Sequence, residues 1–180
     1  VSLLMTVVGC GVDDSGGVSS LISSATTPPP GGDGPATTTE VVENRVTGSV
    51  GDGPIVGARI KVRGNSGAVL METESSASAD YDLTIKTQGR NYALTIEAEQ
   101  GIDLVTNMAP DFALAASITK PNMRTISNLN PFTTLIVGAA RKSGSGLNDT
   151  SLAAARDAVM ARYTFGLDAA VIPDPTGTPI

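Results

Sequence analysis

The sequence predicts a mainly β protein: a Greek-key β-sandwich of about seven strands, preceded by a disordered tether and followed by a short α-helical hairpin. Three observations carry this. Between residues 41 and 127, apolar and polar residues alternate in short runs, the period of a strand with one face buried. Clusters of Gly, Pro, Asn, Asp and Ser cut those runs, and sandwiches show such turns about every 8–12 residues. From Asn128 onward the apolar spacing becomes that of a helix. The core must be aliphatic, because aromatics make up 3% of the 180 residues and there is no Trp. Twenty Gly and eleven Pro suit the many turns.

Residues 41–50 alternate toward their end and read as the first strand. Gly51-Asp52-Gly53-Pro54 is a dense turn signal, expected to close a hairpin. Residues 55–63 read as the second strand, with Val56, Ala58, Ile60 and Val62 on one face and Arg59, Lys61 and Arg63 on the other. Gly57-Ala58 is expected to let strands approach closely. Gly64-Asn65-Ser66-Gly67 is another turn, and residues 68–73 make a third strand. After a Ser-rich loop, residues 80–86 alternate Tyr81, Leu83 and Ile85 against Asp82, Thr84 and Lys86. Residues 92–99 alternate through Tyr92, Leu94 and Ile96. Residues 102–106, 112–118 and 124–127 are expected as weaker strands.

The helical part spans residues 128–166. Asn130 suits an N-cap and Pro131 the first helical position, while Arg141 and Lys142 complement the C-terminal dipole. Phe132, Leu135, Ile136 and Ala139 form the predicted apolar stripe. Asp149 or Thr150 is expected to cap a second helix, reaching about Tyr163, with Leu152, Ala155, Val159 and Met160 inward and Gly166 as its stop. Residues 167–180, rich in Pro, Thr and Gly, read as a linker to a further C-terminal part.

Residues 1–10 differ from all of this. They form an apolar run that ends on small residues and on the one cysteine of the chain, Cys10. Such a run is the tail of a secretory signal. Val7-Val8-Gly9-Cys10 resembles a bacterial lipobox. The resemblance implies a diacylglycerol on the Cys10 thiol, cleavage before that residue, and a lipid anchor in the cell envelope. A thiolate is the most nucleophilic side chain available for such acylation. Each buried acyl CH₂ contributes about 0.8 kcal/mol, so more than one chain holds stably. Gly11 directly after the cysteine resembles lipoproteins sorted to the outer membrane. Residues 11–40 are a Gly/Ser/Thr/Pro/Asp tether, too poor in apolar surface to offset the entropy of ordering. The chain opens on Val without a basic segment, so a longer precursor is expected.

Within the sandwich, Gly48-x-Val50-x-Asp52-x-Pro54-Ile55-x-Gly57-Ala58-x-Ile60, followed by Thr73 and Tyr81-Asp82-Leu83, resembles the opening of a carboxypeptidase regulatory-like domain. That family is a small transthyretin-like or Ig-like sandwich. Ala79 stands where its members usually have Gly. The resemblance covers residues 46–118 and implies a fold, not a ligand.

Chemistry is sparse. The chain has no His, which removes the commonest general base and metal ligand. Neither a nucleophile elbow nor a phosphate-binding loop is present. Net charge is −6, which disfavours nucleic acid as a partner. No apolar run reaches the roughly 18 residues that a membrane helix needs. Asp80, Asp82 and Asp103, with Asp111, are the carboxylates that could hold Ca²⁺, although solvated loop carboxylates are the simpler reading. Arg59, Lys61 and Arg63 read as a solvated strand face rather than an anion site. Tyr81 and Tyr92 could stack on a sugar only if they point outward, and their place in the alternation favours the core. The expectation is a non-enzymatic, cofactor-free lipoprotein module with a structural or adhesive role, anchored in the membrane and contacting a glycan or an envelope protein. The alternative is the non-catalytic N-terminal part of a larger secreted hydrolase or peptidase, or a polysaccharide-uptake component.

Overall fold

The computed structural model of the chain describes residues 40–163. The lipobox, the tether up to residue 39, Gly166 and the 167–180 tail lie outside the described residues.

Two sheets enclose one aliphatic core. In the first, β1 (Val41–Ser49) lies between β5 (Asp80–Gln88) and β9 (Arg124–Ile126). β1 runs antiparallel to β5, from Val41 opposite Gln88 to Ser49 opposite Asp80. It runs parallel to β9, with Arg45 opposite Arg124. The second sheet has the order β4 (Val69–Glu74), β3 (Arg59–Arg63), β6 (Leu94–Glu99), β8 (Leu114–Ile118), antiparallel throughout. A two-residue ladder joins β2 (Ile55–Val56) to β7 (Ile102–Asp103). Val46, Leu83 and Ile85 from one sheet meet Ile60, Val62, Leu94, Ile96 and Ala116 from the other in a single buried cluster. Each such Val, Leu or Ile side chain contributes about 2 kcal/mol by leaving water. The chain crosses between sheets after β1, β4, β5 and β8, as a Greek-key sandwich requires.

Several local expectations are corrected. The 51–54 turn does not close a hairpin, because β1 pairs with β5 and β9 while β3 belongs to the other sheet. The turn is a crossover, clasped by Ile55 N donating to Val50 O at 3.0 Å. The 55–63 run is not one strand. Gly57 adopts φ 64 and breaks it, so the alternation changes phase: Ile55 is buried and Val56 only half-buried. Backbone does approach closely at the 56–58 bend, but the glycine that permits it is Gly101, whose Cβ would lie 2.8 Å from Ala58 N and Val56 O; a second close approach is at Gly48. A Cβ on Gly48 would lie 2.1 Å from Ser127 O, whereas nothing lies within 4 Å of one on Gly57. Ala79 has φ 62, the left-handed region that favours glycine. Finally, the strand expected at 102–106 keeps two residues and the 112–118 strand starts at Leu114, which leaves 104–113 as a loop.

Both helices form. Asn130 Oδ1 accepts from Thr133 N at 2.9 Å while Thr133 Oγ1 accepts from Asn130 N at 3.0 Å, a reciprocal cap for α1 (Pro131–Lys142). Ile136, Val137 and Ala140 are buried, and Leu135 points outward instead of joining the stripe. The cap of α2 (Asp149–Tyr163) is Asn148 rather than Asp149 or Thr150: its Oδ1 accepts from Ser151 N at 2.9 Å, and Ser151 Oγ accepts from Asn148 N at 3.1 Å. Asp149 instead binds Thr119 and Lys120, tying α2 to the end of β8. Thr134 Oγ1 accepts from Ala115 N at 2.9 Å, so α1 lies against β8.

Candidate functional site

The residues singled out from sequence are dispersed, and most have structural duties. Tyr81 is buried, and its hydroxyl donates to Ser127 O. Burial pushes its phenol well above the ordinary value. It cannot offer a ring to a sugar. Tyr92 is half-buried against the core, and burial raises its hydroxyl too. That hydroxyl is buried beside Asn44, yet neither it nor Asn44 Nδ2 has a hydrogen-bond partner of good geometry.

Asp80 and Asp82 do share the exposed face of β5. Asp82 is committed to Arg45, whose Nε donates to Oδ1 at 3.0 Å and whose Nη2 donates to Oδ2. This bond holds the Asp82 carboxyl below the usual range. Asp103 is taken by its own loop: Oδ1 accepts from Val105 N at 2.7 Å and Oδ2 from Thr106 Oγ1 at 3.1 Å. Asp111 is exposed in the same loop. Among the described residues there is no group of three or more His, Cys, Asp or Glu that could hold a metal. Cys10 lies outside the described residues.

The basic stripe of β3 is neutralised by carboxylates on the neighbouring strands, each pair diagonal to the register. Arg59 pairs with Glu72 at 2.6 Å, Lys61 with Glu99, and Arg63 with Glu97 at 2.9 Å. Arg141 of α1 reaches Glu97 at 3.4 Å. The Lys61 hydrogen bond depresses the Glu99 carboxyl. This is a set of diagonal cross-strand charge pairs on a partly covered face, where Arg141 of α1 also donates to Thr95 Oγ1 at 3.2 Å.

The surface that stands out is the loop between β7 and β8. Ile102, Leu104, Val105, Met108 and Phe112 are all exposed, with Val105 at 77% and Met108 at 69%. Sequence reasoning missed it by placing Ile102, Leu104 and Val105 in one strand and Phe112 in another, with residues 107–111 between them. Asp103, Asn107 and Pro110 among them were the available signal for a loop. The loop is pinned. Leu104 N donates to Pro54 O at 2.9 Å, Asp103 N to Met108 O at 3.0 Å, and Asn107 N to Asp103 O at 2.7 Å, with Asn107 at φ 56. Val105 rests on the 51–54 turn, where a Cβ on Gly53 would come within 2.8 Å of its Cγ2. The result is a fixed apolar knuckle held off the core by its own hydrogen bonds. No Lys or Arg occurs between Gln100 and Thr119, and Asp103 and Asp111 flank the apolar residues.

No family model and no curated protein matches the chain. A solved structure similar to part of it is the Bacillus anthracis TIE protein, at 8% identity and a TM-score of 0.30, over 49% of this chain and 17% of that one. The chain thus spans about a sixth of that protein, and a likeness so distant carries no inference here. No helix among the described residues is long and apolar enough to cross a membrane.

Proposed function

We propose that this chain is a non-enzymatic docking module of a bacterial envelope, tethered by lipid at Cys10, whose 102–112 loop seats in an apolar pocket of another envelope protein. The observation that carries this reading is the pinned loop itself. Clustered exposed apolar side chains on a soluble domain mark contact surfaces. A loop already fixed by hydrogen bonds loses little entropy on binding. Its charge selects among partners: with acidic flanks and no cation, the loop suits a protein pocket with a neutral or basic rim and is repelled by anionic lipid headgroups. The lipobox-like Val7-Val8-Gly9-Cys10 supports the anchor, and the Gly/Ser/Pro-rich 11–40 segment supports a spacer between membrane and sandwich.

A photo-reactive amino acid at position 105 of the protein expressed in its own cells tests this. A discrete adduct with one envelope protein, lost on Met108→Glu, is the expected result. The same probe at Thr84, on the charged face of β5, should give none. Adducts that are equally diffuse from both positions would refute docking through the loop.

A further inference from the structure

A second feature lies on the exposed face of the three-stranded sheet. Arg45 of β1 and Arg124 of β9 are directly opposite one another in the parallel ladder. Like charges placed so are destabilising, and a sheet that keeps them needs an offset. Asp82 supplies one carboxylate, and Arg45 holds it through two nitrogens. The Arg124 side chain has no hydrogen bond or ion pair with any described residue, although its charge helps to depress the Asp82 carboxyl from a distance. The row Asp82–Arg45–Arg124 therefore carries one uncompensated positive charge. Asp82 also fixes the Arg45 guanidinium, so half of the pair is oriented before any ligand arrives.

Arg45, Thr47, Arg124, Thr125 and Ile126 line a cleft of about 400 Å³ at this point. β9 is the outer strand of its sheet, which leaves the cleft open on the far side of Arg124. Ile126 is 82% exposed and forms an apolar wall. Asp80 and Asp82 line the neighbouring cleft, so an anion would sit on the Arg124 side. A planar oxyanion matches the fork of Arg124 bidentately, and an aliphatic ring face matches Ile126.

We infer that this cleft binds the carboxylate of an acidic sugar residue, with Arg124 clamping the carboxylate, Arg45 completing the charge, and Ile126 under the ring. The site is separate from the 102–112 loop and stands or falls independently of it.

Calorimetric titration of the full 180-residue chain with trigalacturonate tests the inference. The expected result is saturable binding that weakens as NaCl rises from about 50 to 500 mM, since exposed charges are screened over a few ångströms at high salt. Arg124→Gln and Arg124→Lys should each lose about tenfold or more, the Lys variant because a point charge cannot replace the fork. Thermal midpoints of the two variants report on folding. Arg124→Gln should unfold at the same temperature as the parent or higher, because it removes the like-charge pair. Retained affinity in Arg124→Gln overturns the site. Equal binding of the methyl-esterified trimer overturns the carboxylate as its ligand. Equal competition by inorganic sulfate reduces the cleft to a nonspecific anion patch and also overturns the inference.

Discussion

Gly48→Ala should destabilise this protein strongly, because the added methyl runs into the backbone beside β9 with no unusual φ to share the blame. The new Cβ would lie 2.1 Å from Ser127 O and 2.7 Å from Ser127 C, with the Tyr81 ring at 3.1 Å. The clash is with backbone, so no side-chain rotation relieves it. β9 would have to retreat by roughly 1 Å or more to restore ordinary contact. That movement strains the bond from Ser127 N to Thr47 O, now 2.8 Å, and the bond from the Tyr81 hydroxyl to Ser127 O. Two hydrogen bonds at about 1 kcal/mol each, added to about 1–3 kcal/mol of overpacking, give a loss of about 3–5 kcal/mol. For a chain of this size each kcal/mol lowers the midpoint by about 2–4 °C, so a fall of about 6 °C or more is expected. Gly57→Ala is the control. It meets no atom within 4 Å and suffers only its φ of 64, at a cost of about 1–2 kcal/mol. Thermal unfolding followed by circular dichroism decides the matter. Equal midpoint shifts in the two variants would refute the packing argument.

Further expectations concern titration, surface and anchor. The Tyr81 phenol is held above its ordinary pKa of 10.0, so only the unfolded chain ionises there as pH first rises past that value, and stability falls. Tyr81→Phe should cost about 1 kcal/mol at neutral pH through the lost hydrogen bond and should flatten the alkaline fall in denaturation midpoints. Asp82, Glu99 and Asp149 are depressed, so the stability they give is complete above the ordinary carboxylate range and fades as pH drops through their lowered values. Asp82→Asn should therefore shift the acid midpoint less steeply with pH than the parent, as urea titrations between pH 2 and 6 would show. Val105→Glu with Met108→Glu should leave the thermal midpoint within about 2 °C of the parent, because exposed substitutions away from the core change stability little. A larger drop would place the loop in the core. Cys10→Ser should move the protein from the membrane fraction into soluble material, measured by fractionation and intact mass.

Much of the fold was legible because the chain advertises it locally. The alternation in β5 and the Asn130-Pro131 start of α1 are decided by near neighbours and survive folding unchanged. What was not legible depends on distant partners. Gly57 breaks a nine-residue run through its φ, and no periodicity reveals a phase change at a single residue. Whether Gly51-Asp52-Gly53-Pro54 closes a hairpin or crosses between sheets is set by where β5 and β9 dock, not by the turn. Thr133 and Ser151 look like ordinary helix residues until their hydroxyls return to the capping amides. The candidate residues were legible in part. Tyr81 and Tyr92 drew notice as aromatic rings, and the core position that their alternation favoured is the one they take. Ile102, Leu104, Val105 and Phe112 read as strand residues because hydrophobicity alone cannot separate a buried rung from an exposed knuckle. Hydrogen bonds of Asp103 and Asn107 make that distinction.

The docking claim is tested most directly by methionine oxidation. Met108 is 69% exposed on the loop and Met123 is 86% exposed beside β9, so each serves as the other's reference. Under dilute peroxide the purified protein should convert both to sulfoxide at comparable rates. In intact cells Met108 should be shielded while Met123 keeps its rate. Equal oxidation of the two on the cell would contradict a loop engaged by a partner.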